Sequence, residues 1–380
     1  MTKWVTKKLG EIGDIVTGST PQTNKDIYWN GEYNFYSPAD FTEDIYCKNT
    51  ERTVTELGLN TGRIIPENSI MVACIASIGK LAINKNKGIT NQQINTIIPH
   101  LDNDYKFIYY LLLHNVNSIK SKAAQTTIPI INKEDFSSLE FLVPESLAEQ
   151  RRIAGILSSA DGAIAASEAL IEKYRNIKRG LLATLLQPKE GWKKVKLGEC
   201  CEVNPHNTAT LPDSFFYIDL ESVISGKLIK NQFISKKEAP SRAQRLVLNN
   251  DILYQTVRPY QKNNYIFKGD NNQYVASTGY ALLRVKNNVD ADFIYHLVHT
   301  HEFVSEVLGL CTGTSYPAIT PSLLNKIEIF VPYKNGQPDL AEQRRIAEIL
   351  SSVDAKIAAE EKVVEKYKGV KKGLMEELLK

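Results

Sequence analysis

The sequence is poor in the residues that staple small folds. It has five cysteines, Cys47, Cys74, Cys200, Cys201 and Cys311, an odd number with no C-x-x-C pair. A disulfide framework and a structural zinc site are therefore not expected, and a reducing, cytoplasmic setting is. Long hydrophobic runs are missing as well. The longest, such as Phe107 to Leu113, have seven residues, where a membrane-spanning helix needs about twenty, so no membrane partner is expected. The opening MTKWVTKKLG has no apolar core and no small-residue cleavage site, and no signal peptide is expected. Nor does charge of one sign dominate. Forty-six Lys and Arg against 43 Asp and Glu leave +3, which excludes a disordered polyelectrolyte or a histone-like tail. Nucleic-acid binding survives this test, because local patches can hide inside a neutral total.

Catalytic signatures are also absent. There is no Walker A loop, no G-x-G-x-x-G after a strand and no H-E-x-x-H. Asn204-Pro205-His206-Asn207 departs at two positions from the Asn-Pro-Pro-aromatic loop of adenine methyltransferases and reads as a turn. The densest histidine group, His296, His299 and His301, reads as the surface of a helix rather than a metal site.

What is present is a duplication. Residues 147–187 open LAEQRRIAGILSSADGAIAA and residues 340–380 open LAEQRRIAEILSSVDAKIAA; 25 of 41 positions are identical. A weaker repeat surrounds them. Trp4 with Leu9-Gly10-Glu11 matches Trp192 with Leu197-Gly198-Glu199, and Pro129 and Val143-Pro144 match Pro317 and Val331-Pro332. The chain thus divides into 1–146, 147–187, 188–339 and 340–380. The short segments are nearly alike and the long ones are not. One part does the same job twice, and the other does a parallel job on two different objects.

The short segments are helices with marked ends. Ser146-Leu147-Ala148-Glu149 and Asp339-Leu340-Ala341-Glu342 are capping-box patterns with a proline just upstream. Apolar positions alternate four and three: Ile153, Leu157, Ala160, Ile164, Ser167, Ile171, Tyr174, Lys178, Leu181, Leu185, and their counterparts from Ile346 to Leu378. That 3.5-residue period specifies a coiled coil. The segment 188–339 is inserted between the two helices, and domain termini usually lie close together, so the pair should be antiparallel, a rod of about 60 Å with a long segment at either end.

The long segments read as mixed α/β. Strands are expected at Ser69–Ala76, Ile94–Ile98, Leu139–Val143, Phe215–Asp219, Asp251–Val257 and Tyr280–Val285, with one helix each around Asp104–Ser121 and Ala291–Leu308. Between them lie polar turns such as TGSTPQTNK, RPYQKNN and CTGTSY. Their Tyr, Asn, Gln, Arg, Ser and Thr can read base edges and phosphates, and they are also ordinary loop residues.

At the repeated L-A-E-Q-R-R-I-A motif the chain resembles the DNA specificity subunits of type I restriction-modification systems. The likeness covers the whole length. It includes the W-x4-L-G-E opening of each half, Gly18-Ser19-Thr20-Pro21 in the first, and the V-P that closes each. The second half has Asn207-Thr208-Ala209-Thr210 where the first has that turn. The resemblance implies an α+β fold. Two mixed α/β target-recognition domains would be separated by a long antiparallel two-helix coiled coil, with an internal pseudo-two-fold repeat. Each domain would read one half of a split double-stranded DNA site.

The helices would set the distance between the halves and dock two modification subunits. Glu149, Gln150, Arg151 and Arg152, with Glu342, Gln343, Arg344 and Arg345, are the docking candidates. S-adenosylmethionine, and the ATP and magnesium of motor-nuclease restriction subunits, would belong to those partners, with no cofactor or catalytic residue in this chain. The DNA contacts would come from the loops: Ser19, Thr20, Gln22, Lys80, Asn91, Gln92 and Thr127 in the first half, and Arg258, Tyr260, Lys262, Tyr280, Thr314 and Ser315 in the second. Arg258 could instead pair with a carboxylate, and Tyr280 could be core. A coiled-coil scaffold with two protein-binding domains is the rival reading, separable by DNA competition. A methyltransferase with its own recognition domain needs a cofactor loop that the sequence lacks.

Overall fold

The computed structural model describes residues 3–123, 129–206, 210–269, 273–313 and 315–379. It forms two compact units, Met1–Glu168 with Lys362–Lys380, and Ala169–Glu361.

In the first unit a five-stranded sheet runs Gly13–Thr17, Ile94–Pro99, Ile70–Ala73, Leu81–Asn84, Tyr46–Cys47. A four-stranded sheet runs Arg52–Val54, Trp29–Tyr36, Gly88–Thr90, Ile64–Ile65. Strands Ile70–Ala73 and Leu81–Asn84 are apolar nearly throughout and buried at every position, as strands covered on both faces must be. A separate ribbon pairs Trp4–Lys8 with Glu140–Pro144, Trp4 opposite Pro144. The second unit repeats the plan. Cys201–Val203, Tyr280–Val285, Ile252–Gln255 and Tyr265–Ile266 form one sheet, and Gln232–Ser235, Ser214–Ile218, Tyr274–Ser277 and Ala243–Val247 form the other. Its ribbon sets Trp192 opposite Pro332. The W…V-P signature is therefore a strand pair that closes each unit across some 140 residues of chain.

The expected strands exist, with bounds moved by a few residues. The single helix expected in each half is broken in two. The first half has Tyr105–His114 and Val116–Ser121, interrupted at Asn115, whose side-chain amide donates to the Leu111 carbonyl at 2.9 Å. The second has Ala291–Leu297 and His301–Leu310, where Thr300 caps the new start by accepting from Phe303 N at 3.3 Å.

Both spacer helices, Leu147–Leu185 and Leu340–Leu378, have 39 residues. In the first unit Ile153, Ala154 and Leu157 share one core with Leu374, Met375, Leu378 and Leu379. In the second, Ile346, Ala347 and Leu350 share one with Leu181, Leu182 and Leu185. The start of each helix thus packs beside the end of the other, which is the antiparallel pairing. The two lysines in the seam are satisfied by charge: Lys371 reaches Asp161 and Lys178 reaches Asp354, each at 2.6 Å. One window of Leu147–Leu185 reaches a mean hydropathy of 1.2, enough for a membrane span by length and composition. Its Ile153 and Leu157 are buried in the unit's core and its Asp161 is ion-paired, as in a coiled-coil helix.

Only half of each capping box forms. Ser146 and Asp339 accept from the backbone N of Glu149 and Glu342 at 3.4 and 3.1 Å. The glutamate side chains turn away to bind Arg152 and Arg345, three residues on.

Candidate nucleic-acid interface

In the first unit the turn Gly18–Pro21 lies against the turn after strand Gly88–Thr90. Gly18 N donates to the Ile94 carbonyl at 3.0 Å, Ser19 N to the Thr90 carbonyl at 2.8 Å, and the Thr20 hydroxyl to Gln92 Oε1 at 2.6 Å. Gly18 permits this approach, since a Cβ there would lie 2.0 Å from the Asn91 carbonyl oxygen. Ser19, Thr20, Asn91 and Gln92 are thereby brought together. Two further bonds pin the turn: Arg63 donates to the Thr17 carbonyl at 2.7 Å, and Trp29 Nε1 to the Gln22 carbonyl at 3.1 Å, leaving the Gln22 side chain exposed.

Asn91 is occupied within its own turn, donating to Gln93 Oε1 at 3.0 Å. Gln93 is exposed and was missed by sequence reasoning. Lys80 is exposed on the adjoining loop, which Cys74 N joins to the Gln93 carbonyl at 2.8 Å, and it lines one hollow with Lys120, also missed. Ser19 Oγ is buried with no hydrogen-bond partner among the described residues. Thr127 lies outside the described residues.

The corresponding loop of the second unit holds Arg258 in a left-handed conformation, φ 55°, a region costing an ordinary residue roughly 1–2 kcal/mol. Its N donates to the Pro317 carbonyl at 2.7 Å. Ala76 repeats this in the first unit, with φ 58° and its N donating to the Pro129 carbonyl. The repeated prolines are therefore the acceptors that fix one strained corner in each unit. Non-glycine strain of this kind persists only where the surrounding structure over-determines it. Here the side chain is a guanidinium, 4.2 Å from the centroid of the Tyr316 ring, with Nε buried and unpartnered among the described residues. No carboxylate pairs with it among those residues. Tyr316, 65% exposed, was not among the expected contacts, although it stands in the same C-T-G-T-S-Y turn as Ser315, which is exposed. Tyr260 is exposed beside Arg258, and Thr314 lies outside the described residues.

Two expected contacts are turned inward. Tyr280 is fully buried, its hydroxyl donating to the Asp219 carbonyl at 3.2 Å, and burial pushes its phenol up. It is a core residue because it opens an apolar strand between two sheets. Lys262 is tied back to the His299 carbonyl at 2.9 Å, and burial pushes its ammonium down. The structure adds Arg242 and Arg245. Arg242 is exposed and its carbonyl accepts from Thr278 N at 2.9 Å; the next residue, Gly279, accepts from Thr256 N, which places these arginines one turn from the Arg258 loop. Arg245 is half-buried with Nε unpartnered among the described residues, and burial pushes it down. Such unpaired, partly desolvated guanidinium groups, set among hydroxyls and amides, suit phosphate oxygens and the acceptor edge of guanine.

Of the three histidines expected on a helix surface, His301 is exposed at the start of helix His301–Leu310, while His296 and His299 turn inward. His296 is buried, with Nε2 at 3.0 Å from Ser351 Oγ on the second spacer helix, and His299 Nδ1 meets the Tyr295 carbonyl at 2.6 Å.

At the repeated helix starts, Gln150 and Gln343 are buried and serve their own units. Gln150 accepts from Asp104 N at 2.8 Å and donates to the Pro144 carbonyl; Gln343 accepts from Asp290 N at 3.0 Å. They brace the loop ahead of the domain's helix and are not available to a partner. Glu149 with Arg152 and Glu342 with Arg345 form intrahelical ion pairs, while Arg151 and Arg344 are exposed, Arg344 3.9 Å from Asp290.

Comparison with known proteins gives one consistent family. The type I restriction modification DNA specificity domain model matches residues 1–174 and again 189–366. The MjaIX and MjaVIII type I restriction enzyme specificity subunits of Methanocaldococcus jannaschii are each 25% identical to the chain, covering 87% and 99% of it and 83% and 92% of themselves. Among solved structures, the S subunit of a type I restriction-modification system from M. genitalium has the same fold. Its TM-score is 0.62 at 18% identity, over 100% of this chain and 96% of that one.

Proposed function

The chain belongs to the type I restriction-modification DNA specificity family, and from that premise we propose that it reads a bipartite, asymmetric DNA site, one part with each unit, and docks two modification subunits. The observation that carries this reading is the contrast inside the duplication. Two units share a scaffold, down to the left-handed corner and its proline acceptor, yet present different side chains on it. The spacer helices, by contrast, repeat Arg151 as Arg344 and the Glu149–Arg152 pair as Glu342–Arg345. Different readers on a common frame suit an asymmetric site, and like helix surfaces suit two copies of one partner.

The chain itself supplies recognition and no bond-making step. S-adenosylmethionine belongs to the modification subunits, and ATP with magnesium to the restriction subunits, all working in the cytoplasm. With 46 basic and 43 acidic residues, the chain alone neutralises few phosphates, so tight binding needs its partners. The test is to incubate the purified chain with DNA and S-adenosylmethionine, with and without the cognate modification subunit. Adenine methylation at a split site is expected only in the mixture. Methyl transfer by the chain alone would overturn the adaptor role, and binding that DNA does not compete for would favour the protein scaffold.

A further inference from the structure

Guanidinium groups are scarce in the first recognition segment. Residues 1–146 hold two arginines, Arg52 and Arg63, against four in residues 188–339. Arg63 is used inside the fold, donating to the Thr17 carbonyl at 2.7 Å. Arg52 has no such task. It is exposed on the edge strand Arg52–Val54, and no carboxylate pairs with it among the described residues, although Glu51 adjoins it. It is nevertheless held. Arg52 lies opposite Phe35 in the ladder, with its guanidinium carbon 3.8 Å from the centroid of the Trp29 ring and 5.5 Å from that of Phe35. Trp29 and Phe35 meet edge to face, centroids 5.1 Å apart, and are buried in one cluster with Val54, Leu59 and Ile89. A guanidinium stacked on such a platform is held by its face, which leaves its rim of N–H donors free.

The platform belongs to the polar turn. Trp29 Nε1 donates to the Gln22 carbonyl at 3.1 Å, and Lys25 N donates to the same oxygen at 3.3 Å. Arg52 therefore borders the turn whose Thr20 hydroxyl meets Gln92. Two exposed lysines join it at the same cluster, Lys25 at 5.6 Å from the Tyr28 centroid and Lys87 at 5.0 Å from that of Tyr33. The second unit builds a like device from unrelated parts: Arg258 over Tyr316, beside its own polar turn, with no carboxylate among the described residues. We propose that Arg52 is a phosphate-binding residue of the first unit, its free N–H rim meeting two oxygens of a backbone phosphate in the first half-site. This rests on the reading above that the first unit reads one part of a split site. A planar pair of donors matches two phosphate oxygens. Phosphate is favoured over a base because Arg52 stands on an edge strand outside the contact of Thr20 with Gln92, where groups suited to base edges converge, and because Lys25 and Lys87 add positive charge at the same cluster.

The experiment uses the full chain assembled with its cognate modification subunit, and a duplex carrying the split site. Binding is titrated across salt for the parent, Arg52→Ala and Arg52→Lys, with single phosphates of the duplex replaced in turn by uncharged methylphosphonates. Arg52→Ala should weaken binding about tenfold and lower the salt slope by about one. Arg52→Lys should restore the slope and only part of the affinity, since an ammonium lacks the planar pair of donors. One methylphosphonate in the first half-site should weaken the parent and leave Arg52→Ala unchanged, and none in the second half-site should couple to this residue. Additive losses at every phosphate, with a lowered thermal midpoint, would mark a purely structural arginine and overturn the proposal, as would unchanged affinity and slope. Coupling to a 7-deazaguanine, with none to a phosphate, would move Arg52 to a base edge and overturn it too. If the parent shows no preference for a split site, the two-part reading itself fails; a split site bound without any coupling at Arg52 removes only this proposal.

Discussion

Asp161 and Lys371 meet at 2.6 Å where the returning end of the second spacer helix joins the first unit, and the Tyr110 hydroxyl donates to the same carboxylate at 2.7 Å. The repeat-related pair in the second unit, Asp354 with Lys178, is equally short but more exposed, and the place of Tyr110 is taken by His296. His296 Nδ1 stands 4.0 Å from Asp354 without a hydrogen bond among the described residues, and its Nε2 meets Ser351 instead, so the aspartate ties helix to helix in both units and recognition domain to helix only in the first.

Lys371→Met should destabilise the first unit by about 1–3 kcal/mol, because it leaves a largely buried carboxylate short of its cation. Lys178→Met should cost less, since Lys178 and Asp354 remain 23% and 37% exposed against 17% and 19% for the first pair. Urea unfolding followed by hydrogen exchange, resolved by peptide, checks the order. Equal losses in the two units would show that burial does not set the strength of these pairs.

The buried histidines give the second unit a pH dependence. Burial, and then Lys178, push His296 from 6.5 down to about 3, and burial pushes His299 down to about 4. The unfolded chain therefore binds more protons than the native one between those values and 6.5. Stability from these groups is fully present above about pH 6.5 and is lost as the pH falls toward 4. Hydrogen exchange at pH 7 and pH 5 should show the second unit opening more at pH 5 than the first, and His296→Gln should flatten the difference. An equal response of both units would contradict the account.

Gln150 and Gln343 should matter to folding rather than to docking. Gln150→Ala leaves Asp104 N and the Pro144 carbonyl without their partner, and burial of such groups costs about 1–3 kcal/mol. The measurable outcome is a lower thermal midpoint with unchanged affinity of the folded chain for the modification subunit. A large loss of affinity at unchanged stability would return Gln150 to the docking surface.

Arg258 and Tyr316 should act together on the second half of the DNA site. Arg258→Ala should cost about 1–3 kcal/mol at that half if it reads a guanine edge; on a phosphate it would weaken all sequences alike and lower the salt slope by about one. Tyr316→Ala should lose about 0.5–1 kcal/mol by freeing the guanidinium, and Tyr316→Phe should keep most of it. Binding titrations of the assembled complex across salt separate these outcomes. Unchanged affinity and slope on Arg258→Ala would remove the pair from the interface.

The duplication, the coiled-coil seam and the antiparallel pairing could be read from the sequence because they depend on local period and on connectivity. The loop clusters were partly readable: Ser19, Thr20, Asn91 and Gln92 do converge. What escaped depends on pairing distant in sequence. Trp4 meets Pro144 only in the folded unit, and the corners at Ala76 and Arg258 carry no glycine to announce a positive φ. Gln150, Gln343 and His296 sit among charged or helical residues and read as surface, yet each is buried by an element some 50 residues away.

The most direct test of the central claim is methylome sequencing of a host carrying this chain and its cognate modification subunit, repeated after residues 188–339 are exchanged for the matching segment of a relative. The account predicts one motif of two specified parts around an unread spacer, with a single part changing on exchange. A continuous motif, or a change in both parts together, would contradict it.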